Sequence, residues 1–330
     1  MLRFPSLKVL IASLSAAVTF ASAADLVEIP NGSFGPNPTN VPFYIYVPDS
    51  INSSAVPLLV YPHGCHGNAP GAHAGKEWSS LADKLGFIVI YPSSPWEADH
   101  CWDLSSYDTL HHDAGGDSLG IVSMVRWTLE EYPVDPDRVF VSGTSSGGMM
   151  TNLLIATYPE LFAAGAAYAG VPYACYAGDG YDVWNADCAE GRVDKSGREW
   201  AALVHGAYPE YTGPRPKFQT FHGDKDDIVN VTNYYNQIKM WTAVLRIDEE
   251  PLSVTEDTPV EGWTKSTYGA EGGMVLLESF LAAGVDHYIP DQVDEVIRFF
   301  ELDCTGDGCF SRKSLPVPKP PCKHPALAME

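Results

Sequence analysis

Basic residues are scarce in this 330-residue chain, where 20 lysines and arginines stand against 42 aspartates and glutamates for a formal net charge of −22. So acidic a surface repels phosphate backbones, which sets nucleic acid aside as a partner and leaves solubility as the plain meaning of the charge. Long apolar runs are lacking as well. The longest, residues 9–20, falls short of the ~20 residues a bilayer crossing requires, so no membrane anchor is expected. There is no internal repeat. His63, Cys65, His66, His111 and His112 fit no common zinc-ligand spacing, and neither a metal nor a cofactor is expected.

What is present begins with a leader. Arg3 and Lys8 precede the apolar stretch without any acid, and Ala21-Ser22-Ala23 supplies the small residues a signal peptidase needs. Residues 1–23 therefore read as a secretory signal peptide, with a secreted, extracellular mature chain beginning near Ala24. Seven cysteines bound for an oxidising compartment imply disulfides rather than thiolate metal sites, and the odd count leaves at least one unpaired. Sequons at Asn31, Asn52 and Asn230 mark acceptors for glycan.

Strand and helix patterns alternate along most of the chain. Residues 43–47, 57–61, 87–91 and 138–142 read as strands, the last three being uninterrupted apolar runs of the kind buried on both faces of a mainly parallel sheet. Helical spacing covers residues 78–84, 118–132, 146–158, 234–245 and 291–300, and further strands are expected at 162–170, 217–221 and 275–280. Residues 171–216, rich in glycine and aromatics, form a long excursion where substrate-contacting loops belong. The expected organisation is one α/β domain over residues 24–303, followed by a proline-rich extended tail over 304–330.

Gly143-Thr144-Ser145-Ser146-Gly147 fits the nucleophile elbow of an α/β-hydrolase, with an expected strand running into it and an expected helix leaving it. A serine hydroxyl is a weak nucleophile until a histidine takes its proton, and the histidine needs a carboxylate to fix its tautomer. In this fold the order is Ser, acid, His. Asp224, Asp226 and Asp227 all follow the strand that ends at Phe221, and spacing does not choose among them. His287 and His324 are the histidines beyond them, and His324 sits in the tail, which favours His287 as the base. Oxyanion donors are expected from the backbone N–H groups of Ser146 and of Cys65, in Pro62-His63-Gly64-Cys65.

At these residues the chain resembles the fungal acetylxylan and feruloyl esterases of carbohydrate esterase family 1, which are similar to the catalytic domains of polyhydroxybutyrate depolymerases. The resemblance runs over residues 35–300. It is carried by Gly35-Pro36-Asn37-Pro38-Thr39-Asn40, Cys101-Trp102-Asp103, the elbow with Met149-Met150-Thr151-Asn152, Tyr158-Pro159-Glu160-Leu161-Phe162, and Gly262-Trp263-Thr264. It implies the α/β-hydrolase fold and places the acid at Asp226, fifth in a His-Gly-x-x-Asp segment, and the base at His287. Two segments depart from the family pattern, His63-Gly64-Cys65-His66-Gly67 and Asp286-His287-Tyr288-Ile289-Pro290, and both lie beside the expected site.

The resulting expectation is a secreted serine esterase that deacetylates xylan through an acyl-enzyme on Ser145. A feruloyl esterase acting on feruloylated xylan is the runner-up and a polyester depolymerase the third. From another class comes an inactive, wall-binding hydrolase relic, which the presence of all three triad residue types argues against. Trp102 is a candidate wall of the substrate site, and His112 and Asp117, in a glycine-rich segment resembling one in the family, are further candidates. Cys65 and Cys101 lie on loops expected to converge at one end of the sheet, which makes them disulfide partners, and Cys175 with Cys188 is a second expected pair.

Overall fold

A strand whose side chains are apolar in both directions has to be covered on both faces, and the central strands of this protein are. The computed structural model describes residues 24–51, 55–270 and 272–317, so the expected leader, Asn52, Cys322 and the last residues of the tail lie outside the described residues. Its strands are β1 (Leu26–Ile29), β2 (Phe43–Tyr46), β3 (Val56–Val60), β4 (Ile88–Pro92), β5 (Val134–Thr144), β6 (Ala164–Tyr168), β7 (Lys217–Gly223), β8 (Ser253–Thr255), β9 (Trp263–Gly269) and β10 (Val275–Ala282). They form one sheet in the order β1-β2-β4-β3-β5-β6-β7-β10-β9-β8. The six strands from β4 to β10 pair in parallel, while β1 and β2 on one side and β9 and β8 on the other pair antiparallel.

The helices are α1 (Ala69–Gly75), α2 (Trp78–Leu85), α3 (Tyr107–Leu110), α4 (Gly116–Glu131), α5 (Ser146–Thr157), α6 (Ala186–Ala189), α7 (Gly197–Ala207), α8 (Thr232–Leu245) and α9 (Val293–Phe300). Leu58, Val60, Ile88, Ile90, Val139 and Val141 point to one face, where α4, α5, α7 and α8 cover them. Their alternates Leu59, Val89, Tyr91 and Phe140 point to the other, where α2 and α9 cover them. The period of two along each strand therefore fills two cores at once. This is the α/β-hydrolase arrangement that the sequence leads one to expect.

Three strands are not apparent from the sequence. β1, β8 and β9 lie toward the sheet's two edges, and β8 is exposed along its whole length while the middle of β9 is half-exposed. With few buried residues each, Trp263 and Tyr268 of β9 among them, they carry no apolar run to betray them.

The boundary of the tail also needs correcting. Residues 304–315 do not extend away but fold back beneath the sheet, where Phe310 and Leu315 are buried in the second core. Cys304 and Cys309 are disulfide-bonded. The Arg138 guanidinium donates to the carbonyls of Glu301 at 2.6 Å and Cys304 at 3.2 Å. Lys217 Nζ sits 3.5 Å from the centroid of the Phe310 ring. Averaged composition hides this anchor, because two apolar side chains among polar and proline residues suffice to seat the segment. Phe310→Ala should lower the free energy of unfolding by about 3–5 kcal/mol, read as a fall in the urea midpoint. A loss below about 1 kcal/mol would show that the segment rests on the core without belonging to it.

Candidate active site

β5 ends at Thr144 and α5 begins at Ser146, so Ser145 alone makes the turn between them, at φ 58° and ψ −124°. Its N–H donates to the Tyr168 carbonyl of β6 at 2.8 Å, which holds this strained conformation. The neighbouring elements pass so close that a Cβ on Gly147 would collide with the Pro62 carbonyl, and one on Gly148 would come within 2.5 Å of the Tyr168 carbonyl oxygen.

The loops that follow β7 and β10 deliver the other two side chains. Ser145 Oγ donates to His287 Nε2 at 2.9 Å, and His287 Nδ1 donates to Asp226 Oδ2 at 2.8 Å. The second oxygen of Asp226 accepts the N–H groups of Ile228 at 3.0 Å and Val229 at 2.7 Å. Burial alone raises the Asp226 pKa, but the His287 and Val229 hydrogen bonds outweigh it and hold the carboxylate below its ordinary range. Beneath it His222 is fully buried and donates from Nε2 to the Val229 carbonyl at 2.8 Å. Asp224 is turned elsewhere, accepting the Gly284 N–H at 2.6 Å, and Asp227 is exposed.

Ser146 is the first residue of α5, where a helical N–H has no intrahelical acceptor. Cys65 lies on the loop after β3, and three ties fix that loop. Cys65 is disulfide-bonded to Cys101. The His66 N–H donates to the Asp99 carbonyl at 2.6 Å. His63 accepts the Ser94 N–H on Nε2 at 3.0 Å and donates from Nδ1 to the Gly64 carbonyl at 2.7 Å. Burial pushes the His63 pKa down to about 4. A second expected pair of cysteines, Cys175 and Cys188, is also bonded.

Ser145 and His287 open into a cleft of about 560 Å³, also lined by Cys65, His66, Trp184, Ile228 and Tyr288. A side cavity of only about 20 Å³ lies against Cys65 and Ser146 and is walled by Trp102, Leu104, Met149, Tyr176 and Trp184.

Of the three substrate-site candidates, Trp102 walls the side cavity, while His112 and Asp117 line neither space. Trp102 is 1% exposed and lines the side cavity, not the open cleft. Its indole N–H donates to the His63 carbonyl at 2.7 Å and its backbone N–H to Ser146 Oγ at 2.8 Å, so it also buttresses the loop carrying Cys65. His112 lines neither space. It hydrogen-bonds Glu160 at 2.9 Å and stacks on Tyr208. Asp117 is fully buried, accepting from Thr39 at 2.7 Å and from the Trp96 indole and Asp103 N–H at 2.9 Å each, and burial raises its pKa to about 6 despite these donors. It ties loops together behind the site. A motif's position in sequence does not tell which way its side chains face, and His112 and Asp117 belong to the layer behind the site.

Trp184 and Tyr288, which do face the cleft, do not stand out from the sequence. The sequence offers only faint signals for them, the aromatic content of the excursion for Trp184 and the place next to His287 for Tyr288. Of the expected glycan acceptors, Asn31 and Asn230 are exposed.

Residues 41–247 match the family described as esterase PHB depolymerase. The chain is 44% identical to acetylxylan esterase A of Emericella nidulans over 270 residues, 81% of this chain and 86% of that one. It is 42% identical to acetylxylan esterase A of Aspergillus ficuum over 81% of this chain and 87% of the relative. The solved acetyl xylan esterase from Aspergillus awamori superposes with a TM-score of 0.80 at 39% identity, covering 84% of this chain and 99% of that one.

Two outcomes follow from this geometry. Asp226→Asn should cut turnover by about 10⁴ near neutral pH, with Asp224→Asn and Asp227→Asn costing far less. A ranking led by either neighbour would remove Asp226 from the relay. His63 titrates near its ordinary 6.5 when unfolded but near 4 when folded, so the folded state favours the neutral ring. Its contribution to stability is complete above about pH 6.5 and is lost as pH falls toward 4, by about 2–3 kcal/mol at pH 4.5. Urea midpoints of the wild type and His63→Gln at pH 7 and 4.5 measure this, and the variant should lose less on acidification.

Proposed function

The chain belongs to the esterase PHB depolymerase family, and we propose that it is a secreted acetylxylan esterase with Ser145 as nucleophile, His287 as general base and Asp226 as the acid that orients it. The hydrogen-bonded relay from Ser145 through His287 to Asp226 is the observation that carries this reading. His287 Nε2 takes the Ser145 proton as Oγ attacks the acetyl carbonyl carbon. The negative charge that develops on the carbonyl oxygen meets the N–H groups of Cys65 and Ser146. When the tetrahedral species collapses, the C–O bond to the sugar breaks and His287 returns the proton to the leaving xylosyl oxygen. Water, deprotonated by the same imidazole, then attacks the acetyl-serine, releases acetate and restores Ser145.

Size of the acyl group separates the members of the class. A space of about 20 Å³ beside the two oxyanion donors holds about one water-sized group, which suits a methyl. On this reading the acetyl group takes that small space, which is too small for a feruloyl ring, and the sugar takes the open cleft. The wall of that small space is tied in place by Trp102 and its hydrogen bonds to His63 and Ser146, which resists widening. A neutral xylan main chain also suits a protein with a net charge of −22, because it carries no charge to repel.

Side-by-side release of acetate from acetylated xylan and ferulate from methyl ferulate tests the reading. Acetate release should exceed ferulate release by at least about two orders of magnitude in kcat/KM, on the scale by which a site rejects a group it cannot seat. Ser145→Ala should lower turnover by roughly 10⁶ with little change in thermal unfolding. Comparable rates on the two esters would reassign the acyl specificity, and a fluorophosphonate label on any other residue would reassign the nucleophile.

A further inference from the structure

One aromatic side chain of the cleft takes no part in the acyl-transfer scheme. Tyr288 follows His287 directly and is 79% exposed, the most exposed large hydrophobic side chain among the described residues. Its backbone is nevertheless tied down. His287 and Ile289 on either side of it are buried, so the backbone turns Tyr288 outward as it turns them in. The Tyr288 N–H donates to Asp286 Oδ1 at 2.9 Å, and Pro290 stiffens the exit from the turn. The ring stands nearly perpendicular to the His287 imidazole, at 77° with centroids 5.9 Å apart. It lines the same cleft as Trp184, which is itself 52% exposed.

A flat ring with few rotatable bonds, carried on a fixed backbone, loses little freedom when a ligand covers it, so much of the stacking appears as affinity. The ligand that suits it is a sugar ring, whose C–H faces are apolar and whose hydroxyls stay at the rim. Charge narrows the choice to a neutral sugar. Asp99 lines the cleft, Asp227 and Asp286 are exposed beside Ile228 and His287, and the cleft's Lys76 is already paired with Asp291 at 2.6 Å. On the reading above the acyl group lies in the side cavity, which has no wall from Tyr288.

We infer that Tyr288 is a stacking platform for a xylose unit neighbouring the acetylated one, and thus a residue by which the enzyme selects esters on a neutral sugar chain over esters of small alcohols. The inference rests on the acetylxylan esterase reading above. Tyr288→Ala should lower the ratio of kcat/KM on acetylated xylan to that on p-nitrophenyl acetate roughly tenfold, mostly through KM on xylan. Tyr288→Trp should keep the ratio within about twofold of wild type, because it keeps a ring at that position. In the Ser145→Ala background, affinity for unacetylated xylohexaose should fall with Tyr288→Ala by a similar factor. An unchanged ratio overturns the inference, as does an equal loss on both esters through kcat, which would mean that the ring acts on His287. A larger loss on methyl ferulate also overturns it, in favour of an acyl contact. Wild-type protein that hydrolyses p-nitrophenyl acetate but frees no acetate from xylan would instead remove the acetylxylan reading, and this inference with it.

Discussion

Everything at the site depends on how closely three stretches of backbone approach one another around Ser145. The loop after β3, the β5 to α5 turn and the end of β6 pass within a distance that leaves no room for a side chain at Gly147 or Gly148. That crowding and the hydrogen bond from the Ser145 N–H to Tyr168 hold the serine in a positive-φ conformation that an ordinary residue avoids. The strain is offset by two well-filled cores on either side of the sheet, and its result is a hydroxyl lifted above the strand ends. The same approach brings the loop carrying Cys65 alongside the first turn of α5. One packing constraint thus sets the positions of the proposed nucleophile and of both expected oxyanion donors.

The rest of the relay hangs on loops rather than on regular elements, and this decides what the sequence makes legible. Central strands are readable because burial on both faces demands unbroken apolar runs, as in β3, β4 and β5. The elbow is readable because its glycines are sterically required. The acid is not, since Asp224, Asp226 and Asp227 share one turn and differ only in the direction their side chains leave it. Family resemblance singles out Asp226, and in the folded protein it is Asp226 that meets His287 while Asp224 caps the Gly284 N–H. β1, β8 and β9 escape notice for the opposite reason to β3, as they bury too little to need an apolar pattern.

The substrate-site candidates teach a related lesson. Trp102, His112 and Asp117 lie in segments that resemble functional ones, yet each spends its polar atoms on protein partners. Asp117 gathers Thr39, Trp96 and Asp103, and Trp102 joins His63 to Ser146. These residues make the loop positions rigid, and the cleft is shaped by side chains that sequence leaves anonymous, such as Trp184 and Tyr288. Exposed aromatics in irregular segments obey no periodicity, so only the folded protein identifies them.

The bond between Cys65 and Cys101 has a practical side. It fastens the strap bearing one expected oxyanion donor to the segment bearing Trp102, although neither sulfur touches the reacting atoms in the scheme above. If Cys65 donates to the oxyanion as proposed, dithiothreitol in an assay buffer would loosen that strap and register as inhibition, the reverse of what reductants do to thiol hydrolases. Alkylating reagents would register as inert until the bond was cut, and as inactivators afterwards. A bench chemist sorting esterases by their response to thiol reagents would therefore put this serine enzyme in a drawer of its own.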